Sequence, residues 1–495
     1  MAGLNRRLFL RSGAAGTLGC IAGAWARSAM AKEEEVPPKK PNFVFFLIDD
    51  LGWRDVGCFG STFYETPNID RLAREGMRFT DAYAACPVCS PTRASIMTGK
   101  NPARLHLTNW LVGKEWPQES PLVSIPDWQK FLPLEEVTIA EALKEAGYAT
   151  GYVGKWHLGD EPYSPENQGF VHNVGGCHMG FPKTYFDPYK IPKLPDRRQG
   201  EYLTDRLAEE AVRFIKAHAR EPFFLYFAHY AVHIPLAAKA EHIEKYRRKA
   251  AAMKPEGPEL GREGPNPLRL IQSHPVYAGM VESVDDTVGR ILRKLEDLGL
   301  ADNTAVFFFS DNGGLSTAQG SPTSNLPLRA GKGWVYEGGI REPTIIKWPG
   351  VTPPGSVCDT PVISDDFYPT FLQIAGLGLR PEQHMDGTSL VPLLKREGGW
   401  QRDTLYWHYP HFSGQGGRPG GAIRCGDWKL VEYFEDGRLE LYNLRDDLGE
   451  QKDLATAMPE KARELQKMLA EWRRTVGAQM PGRRPESKPK ESENG

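Results

Sequence analysis

Asn42-Phe43-Val44-Phe45-Phe46-Leu47-Ile48-Asp49-Asp50 is an apolar and aromatic run of strand length that stops at two carboxylates. Polar and apolar residues do not alternate along it, so both faces are expected to be buried, as in a central strand of a parallel sheet. The same rhythm recurs outward from this stretch. Thr66-Pro67-Asn68 opens a helix that Gly76 closes. A helix over Val137–Ala146, closed by Gly147, precedes a strand over Tyr148–Val153 that delivers Lys155 and His157. A helix over Tyr202–Ala219 precedes a strand over Phe223–Ala228 that delivers His229 and His233. A helix over Pro275–Leu298 precedes a strand over Thr304–Ser310 that delivers Asp311-Asn312. Helix-then-buried-strand repetition specifies an α/β fold, with a large, mostly parallel central sheet between helices. Such sheets bind ligands beyond the carboxyl ends of their strands, so the polar clusters are expected to meet in one site.

After Gly376 the texture changes. Ala422–Cys425, Trp428–Tyr433 and Leu439–Tyr442 read as short strands, with hairpin signals at Gly426-Asp427 and Asp436-Gly437. An amphipathic helix over Ala457–Thr475 follows. The expected organisation is an export signal over 1–31, a charged linker over 32–41 and an α/β domain over 42–376. A smaller subdomain of antiparallel strands plus a helix over 377–476 and a disordered tail over 477–495 complete it.

Asn5-Arg6-Arg7-Leu8-Phe9-Leu10-Arg11 reads as a twin-arginine signal, and Ala29-Met30-Ala31 as its cleavage site. The expected location is therefore the periplasm or the exterior, with a lipoprotein at Cys20 as the weaker alternative. No segment is long and apolar enough to span a membrane. A net charge of −2 over 495 residues, 25% of them charged, gives no reason to expect nucleic acid as a partner. Of the seven cysteines, Cys20 would leave with the signal. No spacing reads as a zinc site.

Asp49, Asp50, Asp311 and Asn312 offer only hard oxygen ligands, which suit Ca²⁺, or Mg²⁺ as the alternative, far better than a soft metal. Lys155 and His157 alternate on an extended segment, so both point the same way. Arg93, one helical turn beyond Cys89, shares its face.

Cys89-Ser90-Pro91-Thr92-Arg93, ahead of the small-residue run Ala94–Gly99, resembles the signal by which type I sulfatases convert one cysteine to formylglycine (3-oxoalanine). Asp49-Asp50, Lys155-x-His157, His233 before Pro235, Asp311-Asn312, and Lys332 within Arg329–Arg341 fall where that family places its site residues. The resemblance covers about Asn42 to about Leu454 and points to a bacterial exported member. It implies an alkaline-phosphatase-like fold, a formylglycine-generating enzyme for maturation, and a metal site of Asp49, Asp50, Asp311, Asn312 and the converted Cys89. It further implies that one hydroxyl of the hydrated aldehyde attacks sulfur in line while the other later expels sulfate. Arg93 would bond the nucleophile or the metal-ligating carboxylates, and Lys155 would hold a sulfate oxygen. His157 would take the proton that triggers sulfate release; His233 and Lys332 would serve the departing oxygen. His229 is expected to be structural.

The expected substrate is a sulfated carbohydrate, of galactose or N-acetylgalactosamine type. A phosphonate monoester or phosphodiester hydrolase of the same superfamily is the rival, and a non-catalytic glycan-binding relative a more distant one. His408, His411 and Arg418 are expected to face the sugar from the C-terminal subdomain, with His106, Asn109, Trp110 and His178 as weaker candidates.

Overall fold

The computed structural model describes residues 40–111, 122–255 and 257–483, which leaves the expected signal, its cleavage site and most of the linker outside the described residues. The described residues form one compact unit.

An eight-stranded sheet runs through it in the order Ser356–Cys358, Met77–Phe79, Thr344–Lys347, Thr304–Ser310, Asn42–Ile48, Phe223–Ala228, Ala149–Gly154, His172–Val174. Asn42–Ile48 lies between two parallel neighbours, with Phe45 beside Phe307 on one side and Tyr226 on the other. Thr344–Lys347 runs antiparallel and makes the sheet mixed. Successive residues of the central strand feed opposite faces. Val44, Phe46 and Ile48 join one apolar core with Leu207, Ala211 and Val284 of helices Leu203–Ala217 and Pro275–Asp297. Phe43, Phe45 and Leu47 join the other, with Ile96, Leu143 and Phe371 of helices Cys89–Thr98, Ile139–Glu145 and Phe367–Ile374. Burial on both faces is the physical reason the strand shows no alternation.

The C-terminal part is a four-stranded antiparallel sheet, Thr404–Tyr409, Gly420–Cys425, Trp428–Tyr433 and Leu439–Asn443, covered on one face by helix Pro459–Val476. Its other face packs Trp407, Val431 and Tyr433 against Tyr83, Tyr336 and Ile340 of the larger part.

Sequence reading missed several elements. Met77–Phe79, Thr344–Lys347 and Ser356–Cys358 are too short to show a period. Helix Ala240–Ala252 buries only Tyr246 and has almost no apolar stripe. The expectation of a disordered tail from 477 is corrected: the carbonyl of Gln479 accepts a hydrogen bond from His408, and Gly482–Arg483 pair with Val123–Ser124. Residues 484–495 lie outside the described residues. Among the described residues all cysteines are free thiols, and no helix is long and apolar enough to cross a membrane.

Candidate active site

Each cluster that sequence reading placed after a strand contributes to one buried group of polar side chains. Asp49 and Asp50 follow Asn42–Ile48; Asp311 and Asn312 follow Thr304–Ser310. Lys155 follows Ala149–Gly154, where Gly154 turns the chain at φ 104° and a side chain would collide with the Ala228 carbonyl, 1.8 Å from its Cβ. That close approach is what lets the Lys155 N–H bond the same carbonyl at 2.8 Å. Cys89 opens the wholly buried helix Cys89–Thr98. Pro91 sits inside its first turn, where the missing N–H costs nothing.

The contacts are direct. Cys89 Sγ lies 3.3 Å from His157 Nδ1. Arg93 donates to Asp311 Oδ2 at 2.8 Å and to the Lys155 carbonyl at 2.7 Å. Lys155 Nζ bonds both oxygens of Asp49, at 2.9 and 2.7 Å. Lys332 Nζ reaches Asp50 Oδ1 at 2.6 Å and Oδ2 at 2.8 Å. Asn312 Nδ2 donates to Asp50 Oδ1 at 2.8 Å, and His233 Nε2 stands 3.6 Å from Asp50 Oδ2. Asp49, Asp50 and His233 bring ligand-type atoms within 4.8 Å of one another. Asp311 is turned toward Arg93, while Asn312 Oδ1 is buried without a hydrogen-bond partner.

Backbone contacts fix both imidazoles. His157 Nε2 donates to the Leu111 carbonyl at 2.7 Å, so its Nδ1 presents a lone pair to residue 89. His233 Nδ1 donates to the Ile234 carbonyl at 2.7 Å, which leaves Nε2 aimed at Asp50. Burial, reinforced by Lys155, pushes His157 well below its ordinary pKa. Burial and then Lys332 push His233 down to about 3. Burial also raises the Cys89 thiol, although Lys155 and Lys332 oppose it. An unmodified thiolate is thus disfavoured here. Asp50 is drawn below the carboxylate range because Lys332 and His233 together outweigh its burial. Asp49 is raised, since burial outweighs Lys155.

His229 is core: it stacks on Phe227 at 4.2 Å, and neither ring nitrogen has a hydrogen-bond partner. The expectation that His408 and His411 face a sugar is overturned. His408 is 2% exposed on strand Thr404–Tyr409, with Nε2 2.9 Å from the Gln479 carbonyl. His411 is 0% exposed; its Nε2 meets Thr108 Oγ1 at 2.8 Å and its ring meets Trp128 edge-on. Each is tied into the fold through Nε2 by a partner far away in sequence, while its buried Nδ1 has no hydrogen-bond partner. Arg418 is half exposed, pairs with Glu435 at 2.8 Å, and lines a cavity of about 540 Å³ with Arg329, Trp334 and Arg438. Of the weaker candidates, His106 bonds the Gly477 carbonyl and Asn109 is buried, whereas His178 is exposed and lies 3.1 Å from Asp160. Sequence reading named His178 but missed the Leu111 carbonyl and, around His178, Cys177, Gly180 and Phe181, which border His157 and His233. None of these lies in a periodic element that could announce it.

The profile of the sulfatase family matches residues 41–377, and the profile described as N-sulphoglucosamine sulphohydrolase, C-terminal, matches residues 330–475. A protein of Formosa agariphila named sulfatase is 34% identical over 493 residues, covering 85% of each chain. The human N-acetylgalactosamine-6-sulfatase is 36% identical over 395 residues, covering 75% of this chain and 69% of the human one. The solved structure of Ps i-CgsB in complex with k-i-k-neocarrahexaose superposes with a TM-score of 0.72 at 32% identity, covering 88% of this chain and 93% of that one. With the fold and these matches in agreement, the chain belongs to the sulfatase family and is a sulfatase.

Proposed function

We propose that this sulfatase removes sulfate from a sulfated carbohydrate of galactose or N-acetylgalactosamine type. The observation that carries the chemistry is the Cys89–His157 contact within a pocket where Arg93, Lys155 and Lys332 face buried carboxylates. The sugar class rests on the similarity to the N-acetylgalactosamine-6-sulfatase and to a structure holding a neocarrahexaose.

The residues present fit both groups that this chemistry needs. Asp49, Asp50, Asp311 and Asn312 are a hard oxygen set, fully buried, and Asn312 Oδ1 has no hydrogen-bond partner. They would hold a calcium ion, with magnesium as the alternative, supplying positive charge to the sulfate oxygens. A formylglycine made from Cys89 by a formylglycine-generating enzyme would supply the oxygen nucleophile that a buried thiol supplies poorly.

The chain's own groups do the rest. Lys155 binds a sulfate oxygen from the Asp49 side, and Arg93 holds Asp311 in place. His157 accepts a proton at Nδ1 from residue 89, its tautomer set by Leu111. Lys332 stabilises the sugar oxygen as the S–O bond breaks. His233, neutral at rest because burial and Lys332 push it down, takes up a proton at Nε2 only with the negative charge of the bound sulfate ester beside it, and passes that proton to the sugar oxygen. The burial of both histidines keeps bulk water from competing for these positions. Export as a twin-arginine substrate to the periplasm or beyond belongs to the same reading and rests on residues 5–11 and 29–31.

Mass spectrometry of the Cys89 peptide tests maturation, because conversion exchanges sulfur and two hydrogens for one oxygen. A panel of sulfated sugars set beside a phosphonate monoester and a phosphodiester tests the reaction. Preference for the phosphorus esters would overturn the sulfate assignment.

A further inference from the structure

Cys177 to Phe181 is a short non-helical segment that touches both of the site's histidines. The Cys177 carbonyl accepts the His157 N–H at 3.1 Å. Gly180 lies under the His157 ring, where a Cβ would stand 2.6 Å from Cε1 and Nε2. The ring of Phe181 is parallel to that of His233, at an interplanar angle of 2° with centroids 5.6 Å apart. The segment is anchored on either side of that ring: Met179 packs on the apolar core, and Pro182 is buried. Phe181 itself remains 46% exposed.

A single exposed phenylalanine is ordinary on a protein surface. This one differs in being flanked by Met179, packed on the core, and by buried Pro182, and in lying flat beside the imidazole that faces the leaving group. An aromatic face held in that position matches one feature of a galactose-type ring, whose axial O4 leaves the opposite face lined with C–H groups. We propose that Phe181 is the platform on which the sugar ring bearing the scissile sulfate stacks, placing its ester oxygen under His233 Nε2. This rests on the sulfatase reading above for the identity of the sugar as leaving group.

The test compares wild type, Phe181→Ala and Phe181→Trp on galactose 6-sulfate and on ethyl sulfate, which has no ring to stack. Ligand-observed NMR of galactose 6-sulfate binding is measured alongside. Phe181→Ala is expected to raise KM for galactose 6-sulfate roughly three- to tenfold with kcat nearly unchanged, and Phe181→Trp to restore it. Ethyl sulfate turnover should be the same in all three, as should the unfolding temperature. Equal losses on both esters, or a lowered kcat, would mean that the ring only props His233 and would overturn the proposal. An unchanged KM would overturn it too. Binding that depends on Phe181 without turnover would support the platform and remove the hydrolase reading instead; turnover indifferent to Phe181 would do the reverse.

Discussion

At residue 89 the local environment argues against ordinary cysteine chemistry. The thiol is buried, its pKa is raised, and its nearest polar neighbour is a neutral imidazole. Cys89→Ala is therefore expected to fold, since an alanine fits at the head of that helix, and to lose essentially all turnover. Equal unfolding temperatures with a loss of at least about a thousandfold in kcat would bear this out; activity near that of wild type would end the nucleophile assignment. The two histidines should separate kinetically, because their free nitrogens face different partners. His157→Ala should release about one equivalent of alcohol in a pre-steady-state burst and then stall, as its proton transfer belongs to the later step. His233→Ala should slow the first step by about a hundredfold or more on alkyl sulfates, and far less on activated aryl sulfates that need no acid. Stopped-flow and steady-state rates on both ester types decide between them.

Among elements, the short helix Glu337–Ile340 locks the C-terminal sheet to the loop that carries Lys332. Glu337 accepts from Lys429 at 2.9 Å and from Tyr83 at 2.7 Å, and Lys429 also reaches Glu450 at 2.8 Å, all without solvent contact. Lys429→Met would leave buried Glu450 without its cation and Glu337 with only Arg341 and Tyr83, and should cost about 3–5 kcal/mol by denaturant unfolding. Burial, with Glu337 beside it, pushes Glu450 up to about 7 against the pull of Lys429. A raised carboxyl pKa means the folded protein holds this proton more tightly than the unfolded chain. Its stabilising contribution is thus full below about 4.5 and is lost as pH rises through about 7. Glu450→Gln should flatten that decline in a pH series of unfolding free energies. Legibility followed length and burial at this scale. Phe223–Ala228 and Thr304–Ser310 were readable to the residue because each is an unbroken buried run. Thr344–Lys347, four residues long, had no period to show. His408 and His411 misled because a histidine held through Nε2 by a distant backbone carbonyl or hydroxyl has the same one-letter signature as a ligand-facing one.

Across the whole molecule the site was legible because topology gathers it: strands far apart in sequence run parallel and end at one edge. What the sequence withheld was everything between those strands, including the Leu111 carbonyl and the Phe181 ring. The same convergence packs Asp49, Asp50 and Asp311 together with no exposure, so a divalent cation should stabilise the entire fold rather than only the pocket. Chelation is expected to lower the unfolding temperature by several degrees and abolish activity, with Ca²⁺ or Mg²⁺ restoring both better than Zn²⁺. Calorimetry with each metal checks it; full rescue by Zn²⁺ alone would contradict the oxygen-only ligand set.

The seclusion of Cys89, 2% exposed at the head of a helix with every residue buried, also sets an order of events. No second protein could close its own catalytic groups around that sulfur once the chain had folded. On the proposed maturation, conversion therefore competes with folding: it belongs to the nascent or newly released polypeptide. A molecule that folds first is locked out for its lifetime. Native, unconverted protein should stay inert however long it is incubated with the converting enzyme. The same protein unfolded and then refolded in that enzyme's presence should gain activity, so the yield of active molecules would be a race won or lost within the first moments after synthesis.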